Sequence, residues 1–132
     1  MEGLNLVTQN DPKNPAAEAY RVIRTSIQFA QAGKELKTIA ITSCTPNEGE
    51  SMTIANLAIV LTQAGKSVLI MDCDMRNPTV HKNFNLSNKV GLSSCISMGT
   101  AVADAVQETG IDGLDALTAG VIPPTPSELL GS

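Results

Sequence analysis

Aromatic side chains are nearly missing from this chain: there is no tryptophan, and Tyr20, Phe29 and Phe84 are its only rings in 132 residues. Stacking platforms for single-stranded nucleic acid need several such rings, which disfavours that class. Cations are also scarce, with 9 Lys and Arg against 13 Asp and Glu and a formal net charge of -4. That balance argues against nucleic acid as a partner and leaves no polybasic patch for anionic lipid. Cys44, Cys73 and Cys95 have neither CxxC nor metal-ligand spacing, and His81 is the single histidine, so no structural metal cluster or disulfide framework is expected. No run approaches about 18 consecutive apolar residues, and the amino terminus has no basic region followed by an apolar core. A cytoplasmic location is the expectation.

What is present is a chain with 42% apolar side chains, enough for one small domain or part of one. Residues 1–15 are polar and carry turn formers at Asn10-Asp11-Pro12 and Asn14-Pro15, which reads as a flexible lead-in or docking arm. Residues 16–132 read as the domain proper. A helix is expected from near Ala16 to about Ala32, with Tyr20, Ile23, Ile27 and Ala30 to one side. The run Lys37–Thr42 reads as a strand, Met52–Gln63 as a helix, and Ser67–Met71 as a second strand. Strand, helix and strand with short connections make a βαβ unit, and therefore a parallel sheet with a right-handed crossover. Beyond it, short helices are expected at Val80–Phe84, Leu92–Met98 and Ala101–Gln107, the last capped by Thr100. Leu114–Thr118 reads as a third strand, and Ser127-Glu128-Leu129-Leu130 as the first turn of a helix.

The segment Pro46-Asn47-Glu48-Gly49-Glu50-Ser51 lies between the first strand and its helix, where backbone N–H groups and a helix N-terminus receive phosphate. A G-x-x-x-x-G-K-[ST] loop would have glycine at position 44 and lysine at position 50; this chain has Cys44 and Glu50. Gly49 and Ser51 stay in register, keeping one permissive backbone position and a hydroxyl for Mg²⁺. At an effective dielectric of about 20, two unit charges about 4 Å apart interact by about 4 kcal/mol, so exchanging a cation for Glu50 weakens phosphate binding. A further expectation is that Glu48 or Glu50 folds back onto free N–H groups at the helix start. At the end of the second strand, Asp72 and Asp74 are two apart and face one side, a spacing that lets both carboxylates reach one Mg²⁺ or a substrate hydroxyl. Arg76 is placed to contact phosphate. A solvated strand-end turn is the competing reading of this acidic segment.

Four ordered segments together resemble the bacterial protein-tyrosine kinases of capsule and exopolysaccharide synthesis, a P-loop family similar to the MinD/ParA group. Glu18 to Arg24 (EAYRVIR) resembles the family's E-x-x-R-x-x-R motif, and Pro46 to Ser51 its P-G-E-G-K-S loop. Leu69 to Pro78 (LIMDCDMRNP) resembles its second acidic motif, and Gly120 to Leu130 (GVIPPTPSELL) a G-x-x-P-P-N-P-x-E-L-L segment. The resemblance implies a P-loop NTPase-like three-layer α/β/α fold with a mostly parallel sheet, cut short here before the Walker B strand. It implies ATP or ADP held by Asn47, Glu48, Gly49, Glu50, Ser51, Met52 and Arg76, with Mg²⁺ on Ser51 and Asp72. Asp74 would be the base toward a tyrosine hydroxyl, with Asp72 beside it in catalysis. Glu18, Arg21 and Arg24 would make subunit contacts in a self-associating assembly, and a membrane-anchored polysaccharide co-polymerase-type activator would be the partner. Independently, the three-residue spacing of Glu18, Arg21 and Arg24 puts a charge stripe on one helical face.

The chain departs from that pattern at Glu50, at Asn47 in place of the loop's first glycine, at Asn77 where arginine is common, and in lacking the Walker B and tyrosine-rich segments. Two functions therefore compete. One is an ATP- and Mg²⁺-dependent protein-tyrosine autokinase domain with impaired activity. The other is a non-catalytic oligomerisation or docking module that keeps the fold with a disabled nucleotide site.

Overall fold

The computed structural model describes residues 6–30, 37–40 and 50–131, with the side chains of Val7, Glu50 and Ser51 outside that description. The elements are α1 (Val7–Asn10), α2 (Pro15–Ala30), α3 (Glu50–Gln63), β1 (Val68–Met71), α4 (Val80–Asn83), α5 (Leu92–Met98), α6 (Val102–Ala105), β2 (Gln107–Glu108), β3 (Leu114–Leu117) and α7 (Pro126–Leu130). Three strands form one sheet in the order β1-β3-β2.

α3 is the hub. Its sequence is apolar nearly all round, which suits a helix enclosed by other elements. Ala55, Ala58 and Ile59 pack with Ile70 of β1 and with Leu114 and Ala116 of β3, and Val80 and Phe84 of α4 close the same core. On its other side α3 carries α1 and α2. Past Gln63 the chain reverses at Gly65, whose φ of +88 is a conformation that favours glycine. Lys66 N then donates to Leu61 O at 3.2 Å, and the chain enters β1.

β1 and β3 run parallel, with Val68 opposite Leu114 and Met71 opposite Leu117. β2 pairs antiparallel with β3 through Gln107–Ala116 and Glu108–Asp115. This differs from the expected helix over Ala101–Gln107 in a definite way. The helical part stops at Ala105, because Val106 takes an extended conformation (φ -68, ψ 136) and releases the next two residues to the sheet edge. The cap position is Ala101 rather than Thr100, and no side chain caps it.

The expected first strand also differs. Residues 37–40 are exposed and belong to no strand, and the rest of that run lies outside the described residues. Among the described residues, the partner of β1 is β3 rather than that run. The second helical layer of a three-layer fold is likewise not complete among the described residues. α3 covers one face of the sheet, while Leu69 and Met71 on the opposite face of β1 remain 44% and 43% exposed. Within the stretch read as a flexible lead-in or docking arm, Thr8 is buried against α3. No helix among the described residues is long and apolar enough to cross a membrane.

Candidate functional site

Because β1 and β3 are parallel, their exits lie at the same edge of the sheet, and Asp72 N extends the ladder to Leu117 O at 3.0 Å. That edge is where open α/β sheets place ligands. Strand geometry ends at Met71, so the two-residue alternation does not carry through Asp72 and Asp74. Asp72 is buried whereas Asp74 is exposed, which corrects the expectation that both carboxylates face one side alike.

The two are nonetheless joined. Asp72 Oδ1 accepts a hydrogen bond from Asp74 N at 3.0 Å, and Asp72 Oδ2 accepts from Thr79 N at 3.0 Å and Val80 N at 3.1 Å. Thr79, the residue before α4, makes no capping bond with its own side chain; the distant Asp72 carboxylate supplies it. Asp72 thus ties the whole 72–80 loop shut, with Met75 buried beneath it. Asp74 Oδ1 accepts from Asn77 N at 3.2 Å, leaving the carboxylate at the surface. Arg76 Nη2 donates to Ser127 Oγ at 2.9 Å, which links the loop leaving β1 to α7. Between the aspartates, burial and then the Asp72 charge push the Cys73 thiol above the ordinary thiol range, although its side chain reaches solvent.

The exit from β3 is braced with the help of Asn88 and Gly91, which the sequence did not single out. Asn88 Nδ2 donates to Gly120 O and Asn88 Oδ1 accepts from Gly120 N, both at 2.8 Å, so a side-chain amide pairs with the backbone as a neighbouring strand would. Leu92 N donates to Thr118 O at 2.7 Å and Ser93 N to Ala119 O at 2.9 Å. A Cβ on Gly91 would lie 2.3 Å from Thr118 O, so glycine is required by closeness of approach. Gly91 and Gly120 were visible in the sequence, but their partners lie about 30 residues away and no local pattern names them.

α3 begins at Glu50, inside the phosphate-type segment Pro46–Ser51. Asn47, Glu48 and Gly49 lie outside the described residues, as do the side chains of Glu50 and Ser51, so the expected fold-back of Glu48 or Glu50 lies there too. Met52 is half-buried and its carbonyl accepts a hydrogen bond from Asn56 Nδ2 at 3.0 Å. For Mg²⁺ the described donor set is hard oxygen: Asp72 Oδ1 accepts one N–H and keeps a lone pair, and the Asp74 carboxylate lies two residues on at the surface. No group of three or more His, Cys, Asp or Glu gathers among the described residues. Mg²⁺ held partly by substrate phosphates needs only one or two carboxylates, so these residues fit it.

On α2, Glu18 Oε1 accepts from Arg21 Nε at 2.9 Å, and Arg21 Nη2 also donates to Pro12 O at 2.6 Å. Arg24 departs from the expected outward stripe. Its Nη1 donates to Val60 O at 2.6 Å, satisfying one of the last four carbonyls of α3. An open pocket of about 430 Å³ is lined by Glu18, Arg21, Val22, Arg24 and Phe29, with Phe29 83% exposed.

A mixed α/β core with an acidic segment leaving the carboxyl end of a parallel strand is the arrangement of the α/β domains of the P-loop class, which the solved structures most like it share. The chain belongs to the bacterial protein-tyrosine kinase family of the CapB type. It is 48% identical over 128 residues to the tyrosine-protein kinase YwqD of Bacillus subtilis (strain 168), covering 97% of this chain and 54% of that protein. It is 43% identical to the putative tyrosine-protein kinase CapB of Staphylococcus aureus, covering 96% of this chain and 56% of that protein. Among solved structures it matches the kinase domain of the Escherichia coli tyrosine kinase ETK with a TM-score of 0.90 at 35% identity, over 98% of this chain and 51% of that one. The chimerical protein CapA2B2 matches with a TM-score of 0.90 at 46% identity, over 96% of this chain and 56% of that one. The chain therefore spans about half the length of the relatives it matches. No protein-family model matches it.

Proposed function

We propose that this chain is part of an ATP- and Mg²⁺-dependent protein-tyrosine autokinase domain serving capsule or exopolysaccharide synthesis, with phosphotransfer impaired by Glu50. The observation that carries the reading is the Asp72 carboxylate, held by the Asp74 amide at the carboxyl end of parallel β1, in a chain closely similar to tyrosine kinases. In this reading the backbone amides of Asn47 to Met52 hold phosphate at the start of α3. Ser51 and Asp72 hold Mg²⁺, which when bound neutralises phosphate charge. Asp74, the exposed member of the pair, accepts the tyrosine hydroxyl proton, and Arg76 leaves Ser127 to contact phosphate. Glu18 and Arg21 face a second copy across the α2 pocket, which the exposed Phe29 adjoins. A membrane-anchored co-polymerase-type activator would bring a cytoplasmic chain to the membrane.

Transfer of labelled phosphate from ATP to a tyrosine-containing copolymer tests this. With the carboxyl-terminal part of a relative's kinase domain joined to the chain, the reading expects transfer by the Glu50→Lys variant, and at least about tenfold less by the Glu50 form. Silence from both, with folding intact, would remove catalysis from this chain and leave the docking or oligomerisation role.

A further inference from the structure

Thr8 and Asn56 are 48 positions apart and both are fully buried. Asn56 Oδ1 accepts hydrogen bonds from Thr8 N at 3.1 Å and Thr8 Oγ1 at 2.7 Å, while Asn56 Nδ2 donates back to Met52 O at 3.0 Å. Further along the same helix, Gln63 Nε2 donates to Thr8 O at 3.1 Å. One residue of α1 is thereby held at two points of α3 about two turns apart, on the same face.

The bond pattern fixes which way the Asn56 amide points, oxygen toward α1 and nitrogen toward the first turn of α3. Asparagine is a poor residue for a helix interior because its amide competes for backbone groups. Here that competition is settled by Thr8. Among the described side chains here, Leu6 is only partly buried against the core and Gln9 and Asn10 are exposed, so the described docking contacts are mainly hydrogen bonds. A segment held mainly by hydrogen bonds, each exchangeable for one with water, has a modest net docking free energy and opens before the core does.

We propose that α1 is a detachable brace on α3, and that its docking through Thr8 sets the order of the first turns of α3, Glu50 to Asn56. The consequence for the phosphate-type loop, weaker phosphate binding when the brace is off, rests on the nucleotide reading above; the brace itself does not.

The test is hydrogen exchange by mass spectrometry on the full chain, comparing the parent with Thr8→Val, which keeps the shape and loses the hydroxyl, and with Thr8→Ser. Exchange of the Glu50–Asn56 amides should rise about tenfold in Thr8→Val, stay at the parent rate in Thr8→Ser, and remain unchanged for β1 and β3 in both. Gln63→Ala, a milder release, should give a smaller rise in the same amides. Unchanged exchange over Glu50–Asn56, or a rise shared equally by β1 and β3, would overturn the brace. Titration of the same variants with Mg²⁺ and ADP separates the two ideas. Binding that weakens in step with exchange supports the coupling, and binding by the parent that ignores Thr8→Val overturns it. Absence of binding by every variant would strike the nucleotide reading, while the exchange result alone would still decide the brace.

Discussion

Replacing Asp72 by alanine removes the acceptor of three backbone donors at once, Asp74 N, Thr79 N and Val80 N. Hydrogen bonds to a charged group contribute about 1.5–3 kcal/mol each when one partner is removed from a buried setting. The three are not independent, and the bonds to Asp74 N and Thr79 N are only partly buried, so water recovers part of the loss. Removal also relieves the burial of the carboxylate, which offsets some of the cost. A net destabilisation of about 3 kcal/mol is the result, or roughly 10 °C in midpoint for a domain of this size. Urea denaturation followed by circular dichroism measures it, and Asp72→Asn, which keeps one acceptor oxygen, should fall between variant and parent. An Asp72→Ala protein as stable as the parent, or more so, would refute the reasoning. The carboxylate would then be a strained group held for a ligand rather than the tie of the 72–80 loop.

Gly91→Ala should cost about 3 kcal/mol by overpacking against backbone atoms and straining the Leu92–Thr118 and Ser93–Ala119 bonds, visible as a lower urea midpoint; an unchanged midpoint would contradict the close approach. Arg24→Ala should destabilise the fold by about 1 kcal/mol through the lost bond to Val60 O, whereas Arg21→Ala, on an exposed pair, should change it by less than about 0.5 kcal/mol, so equal effects would count against the inward role of Arg24. Because the folded state raises the Cys73 pKa, the thiol should be alkylated at neutral pH more slowly than a model peptide thiol and catch up only in more alkaline solution; a faster rate would contradict it. By linkage, the contribution of Cys73 to stability is complete below the ordinary thiol pKa and is lost as pH rises through the folded value.

Local periodicity made α2, α3, β1, α5 and β3 legible, because each has a clear apolar pattern bounded by glycine, proline or a cap residue. The split at Val106 was not legible. Ala101 to Gln107 has helical spacing, and only pairing with β3 draws Gln107 and Glu108 into the sheet. The acidic segment was placed at the correct end of β1, yet the burial of Asp72 could not be read. Its acceptor role depends on Thr79 and Val80, seven and eight residues on, returning to meet it. Arg24 is a similar case. Three-residue spacing puts it near Glu18 and Arg21, but a long side chain can snorkel, and an orphan carbonyl of α3 lies within its reach. Thr8 carried no signal at all, since a polar residue in a polar lead-in gives no hint of a buried asparagine 48 positions later.

The most direct measurement is calorimetric titration of Mg²⁺ with ATP, and with ADP, into this chain and its Glu50→Lys variant. Phosphate-loop descent with a reversed charge predicts binding by the variant at least about tenfold tighter than by the parent. Equal affinities would contradict the role assigned to Glu50, and absence of heat from both folded proteins would contradict the nucleotide site itself.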